Sequence, residues 1–278
     1  MVWNDIEDYF GLMRSPKGLR IEERFQSNIS NQVFSVDLGN KKVVVKIPSF
    51  YGNIPETYYV FQDKFFYGTR ELKSISSRYL HELNQLDALK GLNVPRLAHP
   101  NLADYAKSDD CINSRIIIKD HIPGRTLQEL QTYIELKKTL DGALDTIFSI
   151  HYRNRIVGDG HPKNSLLGND GKIYWTGFAN VYKLPENNLN KAKALDLIKF
   201  VYLSYKAIEG SNKQLTFHAA EKAASHPNEG VREELYKLVS PSLSPRRLWY
   251  PTRLPMDQKF HDKINHLLRG KKKFSEDK

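Results

Sequence analysis

Val157-Gly158-Asp159-Gly160-His161-Pro162-Lys163-Asn164, followed after a turn by Trp175-Thr176-Gly177-Phe178-Ala179, is the stretch on which the reading of this 278-residue chain depends. A carboxylate, Asp159, and an amide, Asn164, stand five residues apart in a segment broken by two glycines and a proline. Polar turn residues of this kind suit an ordinary surface loop. They also suit a loop that presents a carboxylate and an amide oxygen to a reacting group or a cation. Asn169-Asp170-Gly171 has the composition of a hairpin turn, which separates the two halves. Gly177, thirteen residues after Asn164, has no side chain and cannot ligate an ion.

Working outward, the residues before this stretch change from β-like to helical patterning. Residues 1–25 mix acidic, aromatic and basic positions and are expected to form a leading helix or arm. Val33, Phe34 and Val36 make one short run, Leu38-Gly39-Asn40-Lys41 a turn, and Val43-Val44-Val45 a second run ending at Lys46, a pattern that predicts a β-hairpin. Residues 49–69 are rich in Tyr and Phe and broken by Gly52, Pro55 and Gly68, as an insertion would be. Leu72, Ile75, Tyr79, Leu83, Leu86 and Leu89 recur at steps of three or four and predict a helix. Ile116-Ile117-Ile118 reads as a buried strand, and Leu127 to Ile150 as one helix. Beyond the quoted stretch, helices are expected over Leu189–Tyr205, Glu229–Leu238 and Phe260–Leu268, and a proline-rich strap over 241–255. No pattern in 206–260 points to a substrate.

Several of these stretches follow the order and approximate spacing of motifs in the protein-kinase-like superfamily, over roughly residues 25–205. The chain most resembles its atypical branch: aminoglycoside phosphotransferases, small RIO-like or tRNA-modification-associated kinases, and lipopolysaccharide-core kinases. The resemblance implies an α+β fold of two lobes, a β-rich N-lobe and a mainly helical C-lobe. Its boundaries would be an arm over 1–24, an N-lobe over 25–118, a C-lobe over 119–240 with the hinge at its start, and a strap and basic tail over 241–278.

The resemblance also implies roles. Val43-Val44-Val45-Lys46-Ile47 resembles the strand whose lysine reaches the nucleotide phosphates. Glu82, with Glu71 as competitor, stands where the family places that lysine's partner. Asp120, His121 and Ile122, in Lys119-Asp120-His121-Ile122-Pro123-Gly124, resemble the hinge whose backbone meets the adenine edge. Asp159 resembles the base that orients the attacking hydroxyl, and Asn164 a ligand of Mg²⁺. Asp196 resembles the aspartate that braces the catalytic loop. ATP with Mg²⁺ is therefore the implied cofactor. The family's metal-binding aspartate is replaced by Gly177, so metal binding is expected to be weak, and the phosphate-covering segment Ser27–Val33 has no glycine.

Composition sets the remaining bounds. A formal charge of +10 makes an anionic partner plausible, whether nucleotide, acidic protein, RNA or anionic lipid, although a basic surface also simply keeps a protein in solution. The basic groups nearest one another are Lys271-Lys272-Lys273, Arg246-Arg247 and Lys137-Lys138. A lone cysteine, Cys111, fits a reducing compartment, and no run approaches the roughly 20 apolar residues of a membrane span. The expectation is a cytoplasmic protein. Two functions stand: a pseudokinase or strongly impaired phosphotransferase that retains ATP between its lobes and acts with a protein partner, and an active kinase with Asp159 as base.

Overall fold

The computed structural model describes residues 20–28, 31–37, 42–48, 75–97, 117–178, 189–239 and 259–267. The chain is a mixed α/β protein with two small antiparallel sheets. Contacts divide it into two units, one taking in residues 1–57 and 95–122, the other 58–94 and 123–278.

In the first unit, strands β1 (Arg20–Asn28), β2 (Asn31–Asp37), β3 (Lys42–Pro48) and β4 (Ile117–Asp120) lie in sequence order in one antiparallel sheet. The expected hairpin is the β2–β3 pair, in register from Asn31 opposite Pro48 to Asp37 opposite Lys42. Val43 and Val45 are buried whereas Val44 and Lys46 are half-buried, the period-two alternation of a sheet with one face in the core. Val36, opposite Val43, and Ile118, opposite Val45, complete that buried layer, while Ile117, opposite Lys46, is buried on the other face. Residues 20–24, read as part of a leading arm or helix, are strand, paired with β2 from Arg20 opposite Asp37 onward. Charges at Arg20, Glu22, Glu23 and Arg24 hide any strand signal, but charge is what an edge strand carries. The arm over 1–19, the aromatic insertion 49–69, Cys111 and the strap at 241–255 lie outside the described residues.

In the second unit, helix α1 (Ile75–Ala88) is followed by strand β5 (Gly124–Thr126), helix α2 (Tyr133–Tyr152) and strands β6 (Ser165–Gly168) and β7 (Ile173–Trp175). Helices α3 (Leu189–Ala207), α4 (Gln214–Ala223) and α5 (Glu229–Leu238) come next, then a last helix over 259–267. The expected single helix from Leu127 to Ile150 is split. Leu127–Glu129 form a 3₁₀ turn closed by Glu129, which accepts from the Thr126 N–H and hydroxyl. Leu130 is extended, and Thr132 then caps α2 by accepting from the Glu135 N–H. Along α2, Leu136, Leu140, Ala143, Leu144, Ile147 and Ile150 form the buried face at helical spacing. Arg153, just past its end, donates to the Ala88 and Lys90 carbonyls at 2.9 and 3.0 Å and so caps α1.

Helix α3 is the centre of this unit. Every residue from Ala192 to Ser204 is buried, including Lys193, Asp196 and Lys199. Buried charges of this kind need partners, and the partners are what build the site. Among the described residues no helix is long and apolar enough to cross a membrane.

Candidate functional site

The quoted stretch forms a loop laid against α3. Asp196, fully buried, accepts from the Val157 N–H at 2.8 Å through Oδ2 and from the Gly158 N–H at 2.9 Å through Oδ1. One carboxylate thus fixes two successive peptide units immediately before Asp159. Gly160 permits the close approach: a Cβ there would lie 2.8 Å from the Phe200 nitrogen and 3.0 Å from the Asp196 oxygen and Lys199 Cβ. Lys199, one helical turn beyond Asp196, is 3% exposed and donates from Nζ to the Gly158 carbonyl at 3.2 Å.

Asp159 is half-buried. Burial by itself pushes its carboxyl upward, but the Lys199 and Lys163 ammonium groups and a hydrogen bond from Asn164 outweigh it and hold Asp159 below the usual carboxylate range. His161 caps the 3₁₀ turn Pro162–Asn164, accepting from the Lys163 N–H at Nδ1. Burial keeps this ring below its ordinary value despite the adjacent Asp159, so the loop's working cations at neutral pH are the two lysines. The result is a carboxylate held ionised in a loop of fixed backbone, a group suited to accept a hydrogen bond or proton.

Asn164 is buried, and its Nδ2 donates to the Asp159 carbonyl at 3.0 Å. Its own carbonyl accepts from the Thr176 N–H at 2.8 Å, which ties the first half of the stretch to the second. Trp175 and Phe178 are core residues. Trp175 packs edge-on against Phe200 and donates from Nε1 to the Gly177 carbonyl at 3.0 Å. Gly177 is thereby pressed onto Asn164: a Cβ at 177 would lie 2.5 Å from both Nδ2 and Oδ1 of the Asn164 amide. No real Cβ tolerates such a contact. The residues present do not fit a divalent cation anchored as the resemblance implies, because the aspartate is missing and its place is filled. Among the described residues no three of His, Cys, Asp and Glu gather to hold an ion.

The other residues singled out in the sequence fall as follows. Lys46 belongs to the first unit, in β3, opposite Val33 of β2 and Ile117 of β4. Glu82 belongs to the second unit and is buried in α1. Asp120, His121 and Ile122 are half-buried where β4 ends. The Asp120 N–H donates to the Arg96 carbonyl at 2.8 Å and the His121 N–H to the Lys42 carbonyl at 3.3 Å, so both donors are engaged within the sheet unit. Asp170 lies in the β6–β7 turn as expected, with its carboxylate accepting from the Lys172 N–H and the Tyr174 hydroxyl. Lys137 is bonded to Asp141 at 2.6 Å. Arg246, Arg247 and Lys271–Lys273 lie outside the described residues.

Sequence reasoning missed Lys199, His151 and His226. Lys199 carried a faint signal, a charge three residues after Asp196 within the largely apolar run from Ala194 to Leu203. His226 carried none. No protein-family model and no curated protein sequence matches this chain.

Proposed function

We propose that this chain is a protein-kinase-like protein of the atypical, bilobal type: a cytoplasmic pseudokinase or strongly impaired phosphotransferase that still binds ATP. The reading rests on the motif order and on one observation. Asn164 packs into the space that a metal-binding side chain at position 177 would need, while its amide hydrogen-bonds the Asp159 carbonyl. On this reading the loop forgoes the anchor that normally places a cation over the phosphates, a change worth several kcal/mol of barrier and hence orders of magnitude in rate. Lys46 remains as the phosphate-directed lysine, and the segment from Asp120 to Ile122 as the hinge.

Calorimetric titration with ATP, with and without Mg²⁺ or Mn²⁺, tests the reading. The expected result is binding that the metal leaves unchanged. Binding strengthened at least tenfold by the metal would refute the vacated-anchor reading, and absence of any ATP binding would remove the nucleotide from it.

A second reading is favoured by the state of Asp159. Lys199 and Lys163 hold it as a carboxylate, the form a base requires. An active atypical kinase would use Asp159 to orient a hydroxyl acceptor toward the ATP γ-phosphate. Asp159→Asn would then abolish phosphotransfer, and unchanged turnover would remove Asp159 from that role.

A further inference from the structure

The two lysines of the Asp159 loop are not used alike. Lys199 lies behind the loop, 3% exposed, with its Nζ on the Gly158 carbonyl at 3.2 Å, and it exerts the largest attraction on the Asp159 carboxylate. Its charge is spent inside the fold. Lys163 is half-buried in the 3₁₀ turn Pro162–Asn164, immediately before Asn164. The turn is fixed around it: the Lys163 N–H donates to His161 Nδ1, the Asn164 N–H donates to the His161 carbonyl at 2.9 Å, and Pro162 opens the turn. The ammonium group is committed to nothing. Among the described residues Lys163 has no ion pair and no side-chain hydrogen bond.

Other lysines of this unit are placed differently. Lys137, Lys222 and Lys237 each meet a carboxylate at 2.6 to 2.7 Å. A lysine that has given up part of its hydration without such a partner is a donor with spare capacity. Lys163 acts on Asp159 through space but does not bond it, and Lys199 already answers the Asp159 charge. Asp196, the other carboxylate at the loop, is turned to the Val157 and Gly158 N–H groups and to His151. The positive charge of Lys163 is therefore left over beside Asp159.

The position of that surplus matters. Asn164, the next residue, packs into the space beside Gly177, so no side chain there anchors a cation. What a divalent cation offers a phosphate oxygen is positive charge. An ammonium group offers charge and three N–H donors, without a carboxylate anchor.

We propose that Lys163 is the anchor of a metal-free phosphate site beside Asp159, with Lys199 cancelling the repulsion that Asp159 would otherwise exert on the ligand. The ligand group is a phosphate, carried by a nucleotide or by a phosphorylated acceptor. The nucleotide as carrier rests on the ATP-binding reading above, whereas the phosphate contact requires no adenine.

Calorimetric titrations of the full-length protein in EDTA test this with ATP, adenosine and tripolyphosphate. The proteins are wild type, Lys163→Met, Lys163→Arg, and Lys172→Met, which removes the same charge from the exposed β6–β7 turn. With a nucleotide as carrier, the wild type should bind ATP at least about tenfold tighter than adenosine, the worth of one hydrogen bond to a charged group. Lys163→Met should erase that advantage and leave adenosine binding unchanged, while Lys163→Arg and Lys172→Met keep it. With a phosphorylated acceptor as carrier, ATP should show no advantage, and tripolyphosphate binding should weaken about tenfold in Lys163→Met alone. Phosphate binding that ignores Lys163→Met, or falls as far in Lys172→Met, would overturn the proposal and leave the ATP-binding reading standing if ATP and adenosine both bind. If neither binds, that reading falls and tripolyphosphate decides for Lys163: no binding of it, or binding equal in wild type and Lys163→Met, rejects the site. Should Lys163→Met not fold, Lys163→Gln takes its place.

Discussion

The Asn164 amide occupies the space that any side chain at Gly177 would require, with its nitrogen and oxygen each 2.5 Å from the position of a Cβ. Asn164 also holds the Asp159 carbonyl. The two halves of the loop stretch are therefore coupled, and a side chain at 177 requires the Asn164 amide to move.

Gly177→Ala should destabilise the protein by about 1–3 kcal/mol, the usual cost of forcing a methyl group into a filled site. Asn164→Ala opens that site and should cost about 1 kcal/mol by itself through the lost hydrogen bond. The double variant should be more stable than the sum of the two effects predicts. Urea denaturation of all four proteins measures this coupling. Strict additivity would show that Asn164 and Gly177 do not compete for the same volume. The same overlap predicts that Gly177→Asp by itself creates no metal site, whereas Gly177→Asp combined with Asn164→Ala has room for the carboxylate.

Asp196→Asn exchanges an acceptor for a donor without changing size. The new amide nitrogen must face an N–H of Val157, Gly158 or His151, since both oxygens are engaged. The expected loss is about 1–3 kcal/mol for the unsatisfied buried donor. Amide exchange should accelerate at Val157 and Gly158 more than in α5. A uniform acceleration across the second unit would show general loosening instead of loss of the brace.

Acid should weaken the fold in a particular window. His226, lowered first by burial, titrates at about 4 in the folded protein and near 6.5 when unfolded, so between those values the unfolded chain holds the extra proton. Stability is thus fully present above about 6.5, falls as the pH drops, and levels off below about 4. His151, lowered for the same first reason, works in the same direction. For His226 the total is on the order of 3 kcal/mol. His226→Gln should flatten this part of the profile, and denaturant titrations at a series of pH values would show it. Stability that rises on acidification from neutral pH would contradict the assignment. Asp159 acts at lower pH. Its depressed value gives stability that is present above the ordinary carboxylate range and lost as the pH falls through and below it.

Lys199→Met removes the largest attraction holding Asp159 ionised and leaves the Gly158 carbonyl without that donor. Carbon NMR titration of the Asp159 carboxyl should show its midpoint move upward, toward or past the ordinary value. Lys163→Met should move it less, since its attraction is smaller. An unmoved midpoint in Lys199→Met would mean that the burial of Asp159 is offset by something other than α3.

What the sequence determined by itself is local. Two short β-like runs, at Val33–Val36 and Val43–Val45, around a turn specified the β2–β3 hairpin, and apolar steps of three or four marked α1, because neighbours along the chain share a face when the period is right. Asp159 and Asn164 singled out the loop through a motif resemblance and not through periodicity. Local pattern failed where a tertiary partner replaced it. Strand β1 draws its pairing from β2, and α4 hides its inner face because Ala219, Ala220 and Ala223 are too small to register as an apolar stripe. Leu130 is extended and Thr132 caps a new start, which breaks a helix that periodicity alone would run through. Only the tertiary structure decided that Asn164 fills the space beside Gly177, that Lys199 faces the loop, and that His226 meets His151 across 75 residues of chain. Those contacts depend on distances between side chains carried by different elements, and no periodicity along a single element encodes them.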